Sequence, residues 1–227
     1  ASRRERASLA PSRSHSRVKH APHILLTGFG PFPGVAINAS ARLAALLAKR
    51  ARRRWPHAHV ACATLPTEWM RGPERLAALW RRHEPDIALH FGVTARAQGL
   101  EIERTGRNLC LDAEDACGQR PAASYNVDDG SESCTSTLPL DTIVARLQAA
   151  GIPGCISDDA GSYLCNAILY RSLHQSRDSS RVGFIHIPSC LVGAGTDGFS
   201  PLPACPLDWD QALDGAMIAL KTTLEAR

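Results

Sequence analysis

The chain has 227 residues, 44% hydrophobic and 21% charged, which is enough to bury one substantial core as an ordinary globular domain. Its formal charge of +4 is concentrated at one end: residues 1–20 hold Arg3, Arg4, Arg6, Arg13, Arg17 and Lys19 against Glu5 alone, so the tail carries +5 and the remainder −1. A near-neutral body with 5% aromatic residues has no electrostatic footprint for nucleic acid, and no apolar run approaches the roughly 18 residues of a membrane span.

Residues 1–20 read as a basic, disordered N-terminal extension, because they are rich in Ser and Arg and lack the apolar stretch of a secretory signal. Residues 21–227 read as a single α/β domain. His23 to Gly30 is a short apolar run ending in glycine, followed by a Pro/Gly loop, Asn38 as a helix cap and leucines at 43, 46 and 47. Residues 57–65 predict a second strand. Residues 68–83 predict a helix with Leu76 and Trp80 on one side, which Gly72-Pro73 must start or kink. Asp86 to Val93 is continuously apolar, as in a strand buried on both faces.

Residues 100–109 alternate and predict another strand. The stretch 110–140 is polar and unpatterned, long enough to cover a site, meet another subunit or form a solvated insertion. A helix over 141–150, a strand near 153–157, a helix carrying Cys165, a strand over 182–187 stopped by Pro188 and a helix near 208–225 complete the pattern. On the last helix Trp209, Leu213, Ala216, Met217, Leu220 and Leu224 share one face and read as core. Strands alternating with helices at this spacing imply an α/β sandwich around a largely parallel or mixed sheet.

The eight cysteines are even in number, but a chain of this length and core content needs no disulfide framework. None stand at Cys-x-x-Cys spacing and no His pair accompanies them, so no metal is expected. They read as free thiols in a reducing, cytoplasmic compartment.

Ligands of open α/β sheets collect beyond the carboxyl ends of strands. Cys165 falls just past one strand, in the first turn of a helix, where unpaired N–H groups and the helix dipole favour a thiolate. His186 stands near the end of the next strand, placed to neighbour it as a base. A cysteine hydrolase also needs a third group to fix the imidazole's tautomer. Glu103 and Glu101 lie on the same predicted strand, and spacing alone does not choose between them.

Thr27-Gly28-Phe29-Gly30-Pro31-Phe32-Pro33-Gly34 followed by Asn38-Ala39-Ser40 resembles the N-terminal signature of the pyroglutamyl peptidase I family, also called pyrrolidone carboxyl peptidases. Ile102-Glu103-Arg104 with Asn108 resembles that family's glutamate motif, Ala160 to Asn166 its cysteine motif, and Phe184 to Pro188 its histidine motif. The four stand in the family's order across residues 23–190. The resemblance implies a three-layer α/β/α sandwich, a Cys165-His186-Glu103 triad, and removal of an N-terminal pyroglutamyl residue from peptides without a cofactor. It places Phe29, Phe32, Tyr163, Asn38 and Gly92 at the substrate pocket and implies a homo-dimer or tetramer. An uncharged lactam needs apolar walls and a few amide partners, which fits the aromatic residues in that set.

The chain departs from many members at Val93, Thr94, Arg96 and Ala97, and in the acidic pair Asp158-Asp159. These positions bear on affinity for the lactam and on the residue that follows it. The rival readings are a cysteine amidohydrolase of the same fold acting on another N-acyl or lactam amide, and an inactive relative that only binds capped peptides.

Overall fold

The computed structural model describes residues 20–192 and 201–227. Of the basic tail expected over 1–20, only His20 is among them. In chain order the elements are β1 (His23–Phe29), α1 (Ala39–Arg54), β2 (His59–Leu65), α2 (Arg71–His83), β3 (Ile87–Thr94), β4 (Leu100–Glu103), β5 (Thr105–Arg107), β6 (Ser133–Thr135), α3 (Leu140–Ala149), β7 (Gly154–Ser157), α4 (Leu164–His174), β8 (Arg181–Pro188) and α5 (Trp209–Glu225).

Six strands form one sheet in the order β2-β1-β3-β8-β4-β7. β2, β1, β3 and β8 run parallel, whereas β4 is antiparallel to β8 and carries β7 with it. The fold is therefore α/β with a mixed, mostly parallel sheet. One core lies between the sheet and α1, α3 and α5, through Leu43, Leu47, Ile143, Leu147, Ala216 and Leu220. The other lies on the opposite face beneath α2 and α4, through Leu76, Trp80, Leu164 and Ile168. Each fully buried leucine contributes about 2–3 kcal/mol of transfer free energy.

Local chemistry explains the boundaries. The Asn38 side chain accepts from the Ser40 amide and caps α1. α1 then lies so close on β1 that a Cβ on Gly28 would fall 2.3 Å from the Ser40 carbonyl oxygen. Gly72 and Pro73 sit in the first turn of α2 and start it, because a first-turn proline gives up no helical hydrogen bond. On α5 the buried stripe runs through Ala212, Ala216, Ala219 and Thr223; Trp209, Leu213, Met217 and Leu224 pack at its flank. Small residues lead there because the helix approaches its neighbours closely.

The single strand expected over 100–109 breaks at Arg104. β4 stays in the main sheet, while β5 leaves it and pairs with β6 as a separate two-stranded ribbon against α4. The ribbon's second strand comes from the stretch 110–140, which has little other regular structure but is tied down by side chains. Asn108 Oδ1 accepts from the amides of Asn126 and Val127, and buried Asp115 accepts from those of Trp69, Cys117 and Gln119. Among the described residues no helix is long and apolar enough to cross a membrane.

Candidate active site

His186 lies two residues before the end of β8, next to Gly92 of β3 in the parallel register and opposite Glu101 of β4. Because side chains alternate along a strand, Glu101 and Glu103 both project on the His186 face, Glu103 as the diagonal neighbour. The structure joins the imidazole to Glu103: Nδ1 stands 2.7 Å from Glu103 Oε1, with the carboxylate fully buried and the ring nearly so. The second carboxylate oxygen, Oε2, is buried with no hydrogen-bond partner, so the carboxylate is committed to His186. Glu101 is half-buried and lines the open cleft instead.

Nδ1 being engaged, Nε2 is the nitrogen left to face Cys165. Burial by itself would lower the His186 pKa. The charge and hydrogen bond of Cys165, together with those of Glu103, outweigh burial and raise it to about 10. Its two partners thus favour the imidazolium form of the ring at neutral pH.

Cys165 is the second residue of α4, whose first turn is capped by no side chain. The N–H groups of that turn and the positive helix end therefore point at the space beside the sulfur. The route there differs from the simple strand-then-helix reading. β7 runs against β8, and its last residue, Ser157, pairs with Glu103, which is level with Phe184 in mid-strand. Residues 158–163, with Gly161 at φ +77°, bring the chain back to the cleft before α4 begins. Space for the sulfur is made across the sheet: a Cβ on Gly92 would lie 2.8 Å from Cys165 Sγ and 2.7 Å from Phe184 Cζ. Gly92 thus supports the thiol from behind and is not part of the cleft wall.

Cys165 and His186 open onto a cleft of ≈ 430 Å³ whose wall includes Phe29, Phe32, Asn38, Tyr163 and Val93. Phe29 is also core, buried against Phe184 with ring centroids 6.2 Å apart. Tyr163 is held edge-on to Trp69 at 5.2 Å and donates its hydroxyl to the Glu114 carbonyl. Asn38 spends Oδ1 on Ser40 and one Nδ2 hydrogen on the Gly30 carbonyl, which fixes its amide toward the cleft. Thr94 and Arg96 also face the cleft, while Ala97 is buried away from it. The acidic pair is neutralised locally: Arg104 Nε donates to Asp158 at 2.6 Å and Arg107 pairs with Asp159.

Sequence reasoning passed over Asn166, which follows the cysteine. Its Oδ1 accepts from the Arg107 amide and its Nδ2 donates to the carbonyls of Arg107 and Leu109, fastening the ribbon to the helix that carries the thiol. Trp69 and Asp115, which brace Tyr163 from outside the four motifs, were also invisible, because neither lies near the reactive residues in sequence. Among the described residues no group of three or more His, Cys, Asp or Glu side chains is arranged to hold a metal.

A family model described as pyroglutamyl peptidase matches residues 22–226. The chain is 35% identical over 182 residues to the pyrrolidone-carboxylate peptidase of Clavibacter michiganensis, covering 78% of this chain and 83% of that protein. It is 34% identical over 167 residues to human pyroglutamyl-peptidase 1, covering 73% and 78%. Among solved structures it is similar to a mutant pyrrolidone carboxyl peptidase from Pyrococcus furiosus, with a TM-score of 0.76, 30% identity, and coverage of 89% of this chain and 98% of that one. The pyroglutamyl peptidase I from Bacillus amyloliquefaciens superposes with a TM-score of 0.74 at 26% identity, covering 89% and 95%.

Proposed function

The chain belongs to the pyroglutamyl peptidase family and is a peptidase, and from that premise we propose that it hydrolyses the amide bond after an N-terminal pyroglutamyl residue, with Cys165 as nucleophile, His186 as acid and base, and Glu103 holding the imidazole. The observation that carries this reading is the continuous line from buried Glu103 through His186 to Cys165 at the uncapped head of α4.

The steps follow from that geometry. The lactam ring enters among Phe29, Phe32 and Tyr163, an aromatic wall suited to an uncharged ring, in a cleft that Glu101 and the Arg107-paired Asp159 also line. The sulfur attacks the carbonyl carbon joining pyroglutamate to the next residue. The N–H groups at the head of α4 receive the oxyanion, each such donor contributing roughly 3–4 kcal/mol to the transition state. The protonated His186 gives its proton to the leaving amine, and the peptide departs without its cap. Water, deprotonated by His186, then opens the thioester and restores the thiol.

Release of a chromogenic amine from its pyroglutamyl amide, compared with the prolyl and alanyl amides under reductant, tests the assignment with Cys165→Ala as control. Turnover of the pyroglutamyl compound alone, lost in the variant, is the expected result. Cleavage of another capped amide in its place would move the acyl specificity. A folded, reduced protein that cleaves nothing would be a binding relative.

A further inference from the structure

Two cysteines outside the cleft are brought together where the turn after β8 meets the approach to α5. Cys190 lies in the single 3-10 turn Ser189–Leu191 that follows β8, and Cys205 precedes α5; they are 15 residues apart in sequence. Both are free thiols, in line with the reading from sequence, and their sulfurs stand 2.6 Å apart, closer than two unbonded sulfur atoms pack but longer than the roughly 2.05 Å of a disulfide. Among the described residues they are the cysteine sulfurs so placed.

The approach is fixed by more than the side chains. The Leu202 amide donates to the Cys190 carbonyl at 2.8 Å, and the Cys205 amide donates to the Leu202 carbonyl at 3.0 Å. That short turn holds Ala204 at φ +66°, a left-handed conformation that a non-glycine residue keeps only when its surroundings impose it. On either side Leu191 and Leu207 are buried in the core under α5, so both ends of the pair are anchored.

We propose that Cys190 and Cys205 form an intrachain disulfide that braces the turn after β8 against the approach to α5. The oxidant is a small-molecule disulfide. One thiolate of the pair attacks it, forming a mixed disulfide and expelling one thiolate. The other cysteine, once deprotonated, attacks the protein sulfur of that mixed disulfide and expels the second. Two protein thiols become one S–S bond, and one disulfide becomes two thiols, a two-electron exchange with no other reactant. Burial, and then the Cys205 neighbour, push the Cys190 thiol up to about 11, so bond formation is faster at alkaline than at neutral pH. Cys165 takes no part, since its sulfur faces His186 and the cleft.

The sequence supplies a direct readout, because Val182–Lys221 is one tryptic peptide whose cysteines are Cys190 and Cys205 alone. The full chain carrying Cys165→Ser is incubated with oxidised glutathione at mildly alkaline pH, alkylated with iodoacetamide and digested without reduction. The expected peptide is lighter by two hydrogens, takes up no alkyl group, and recovers two alkylation sites after dithiothreitol. The oxidised protein is expected to melt roughly 5–10 °C higher than the reduced one, a shift absent in both Cys190→Ser and Cys205→Ser. Uptake of two alkyl groups after oxidation, a persistent glutathione adduct, or linkage to the same peptide of a second copy would each overturn the intrachain bond. A lighter peptide with an unmoved melting temperature would overturn the brace.

Discussion

At the scale of single residues, reactivity comes from where three side chains are buried relative to one another. Glu103 and Glu101 share a face of β4, yet only Glu103 lies deep enough to be sealed from solvent while reaching Nδ1 of His186. Its charge, with that of Cys165, keeps the ring protonated to about 10 despite burial. The proton needed by the leaving amine is therefore present through the neutral and mildly alkaline range, and is lost as pH rises through that value. The pH profile of kcat/KM for the pyroglutamyl amide is expected to show no step near 6.5, where a free imidazole titrates, and to fall on the alkaline side near 10. Glu103→Gln keeps an acceptor oxygen for Nδ1 but removes the charge. Its kcat is expected to drop by roughly 10²-fold or more with KM little changed, and its alkaline limb to move toward neutrality. A variant with wild-type rate and an unmoved limb would take Glu103 out of the mechanism.

At the scale of elements, α4 carries the thiol, and its position depends on a ribbon that the chain pattern hid. Asn166 makes three hydrogen bonds to the backbone at Arg107 and Leu109, the stretch where the chain leaves the main sheet. Asn166→Ala removes the side-chain acceptor of the Arg107 amide, while the Arg107 and Leu109 carbonyls still accept from Asn126 Nδ2, and is expected to cost about 1–3 kcal/mol in denaturant unfolding. Exchange of the Arg107 amide should accelerate with it. A loss below about 1 kcal/mol would mean that the ribbon is held elsewhere. The four motifs, the capped start of α1 and most elements were legible in the sequence because each depends on neighbours within a few residues. The break at Arg104 was not, since Leu100 to Leu109 alternates as one strand would and the break is made by β6, which pairs with Thr105 to Arg107 from 28 residues further on. The direction of β7 was hidden for the same reason: four apolar-leaning residues fit a strand equally well either way round. Cys165 was placed correctly in its helix, but the reversal of β7 and the return through 158–163 appear only in three dimensions.

At the scale of the whole molecule, the sheet is tied to the helices over it by one polar chain. His90 of β3 is fully buried, with Nδ1 2.7 Å from Thr27 Oγ1 of β1 and Nε2 2.7 Å from Ser172 Oγ of α4, which also accepts from Trp80 Nε1 of α2 at 3.0 Å. A neutral imidazole needs one donor and one acceptor partner, and two hydroxyls supply both. Burial lowers the His90 pKa from 6.5 to about 3. The sign is set by the unfolded chain, which binds a proton below about 6.5 when the folded one does not. The stability this group contributes is complete above 6.5 and is lost as pH falls toward 3. His186 has the opposite sign: its raised pKa contributes stability that is complete below 6.5 and is lost as pH rises toward 10. The two together place the most stable range near neutrality. Between pH 7.5 and 4.5 the His90 contribution is expected to fall by about 2–3 kcal/mol, from 1.36 kcal/mol per pKa unit below 6.5. Comparing denaturant unfolding of the wild type and His90→Gln at both pH values isolates it, because the other titrating groups are common to both proteins. His90→Gln should be less stable at pH 7.5, through lost packing and hydrogen bonding, yet lose less on acidification. An equal acid loss in both would show that the proton enters elsewhere, and that this chain across four elements is structural glue without a role in the acid response.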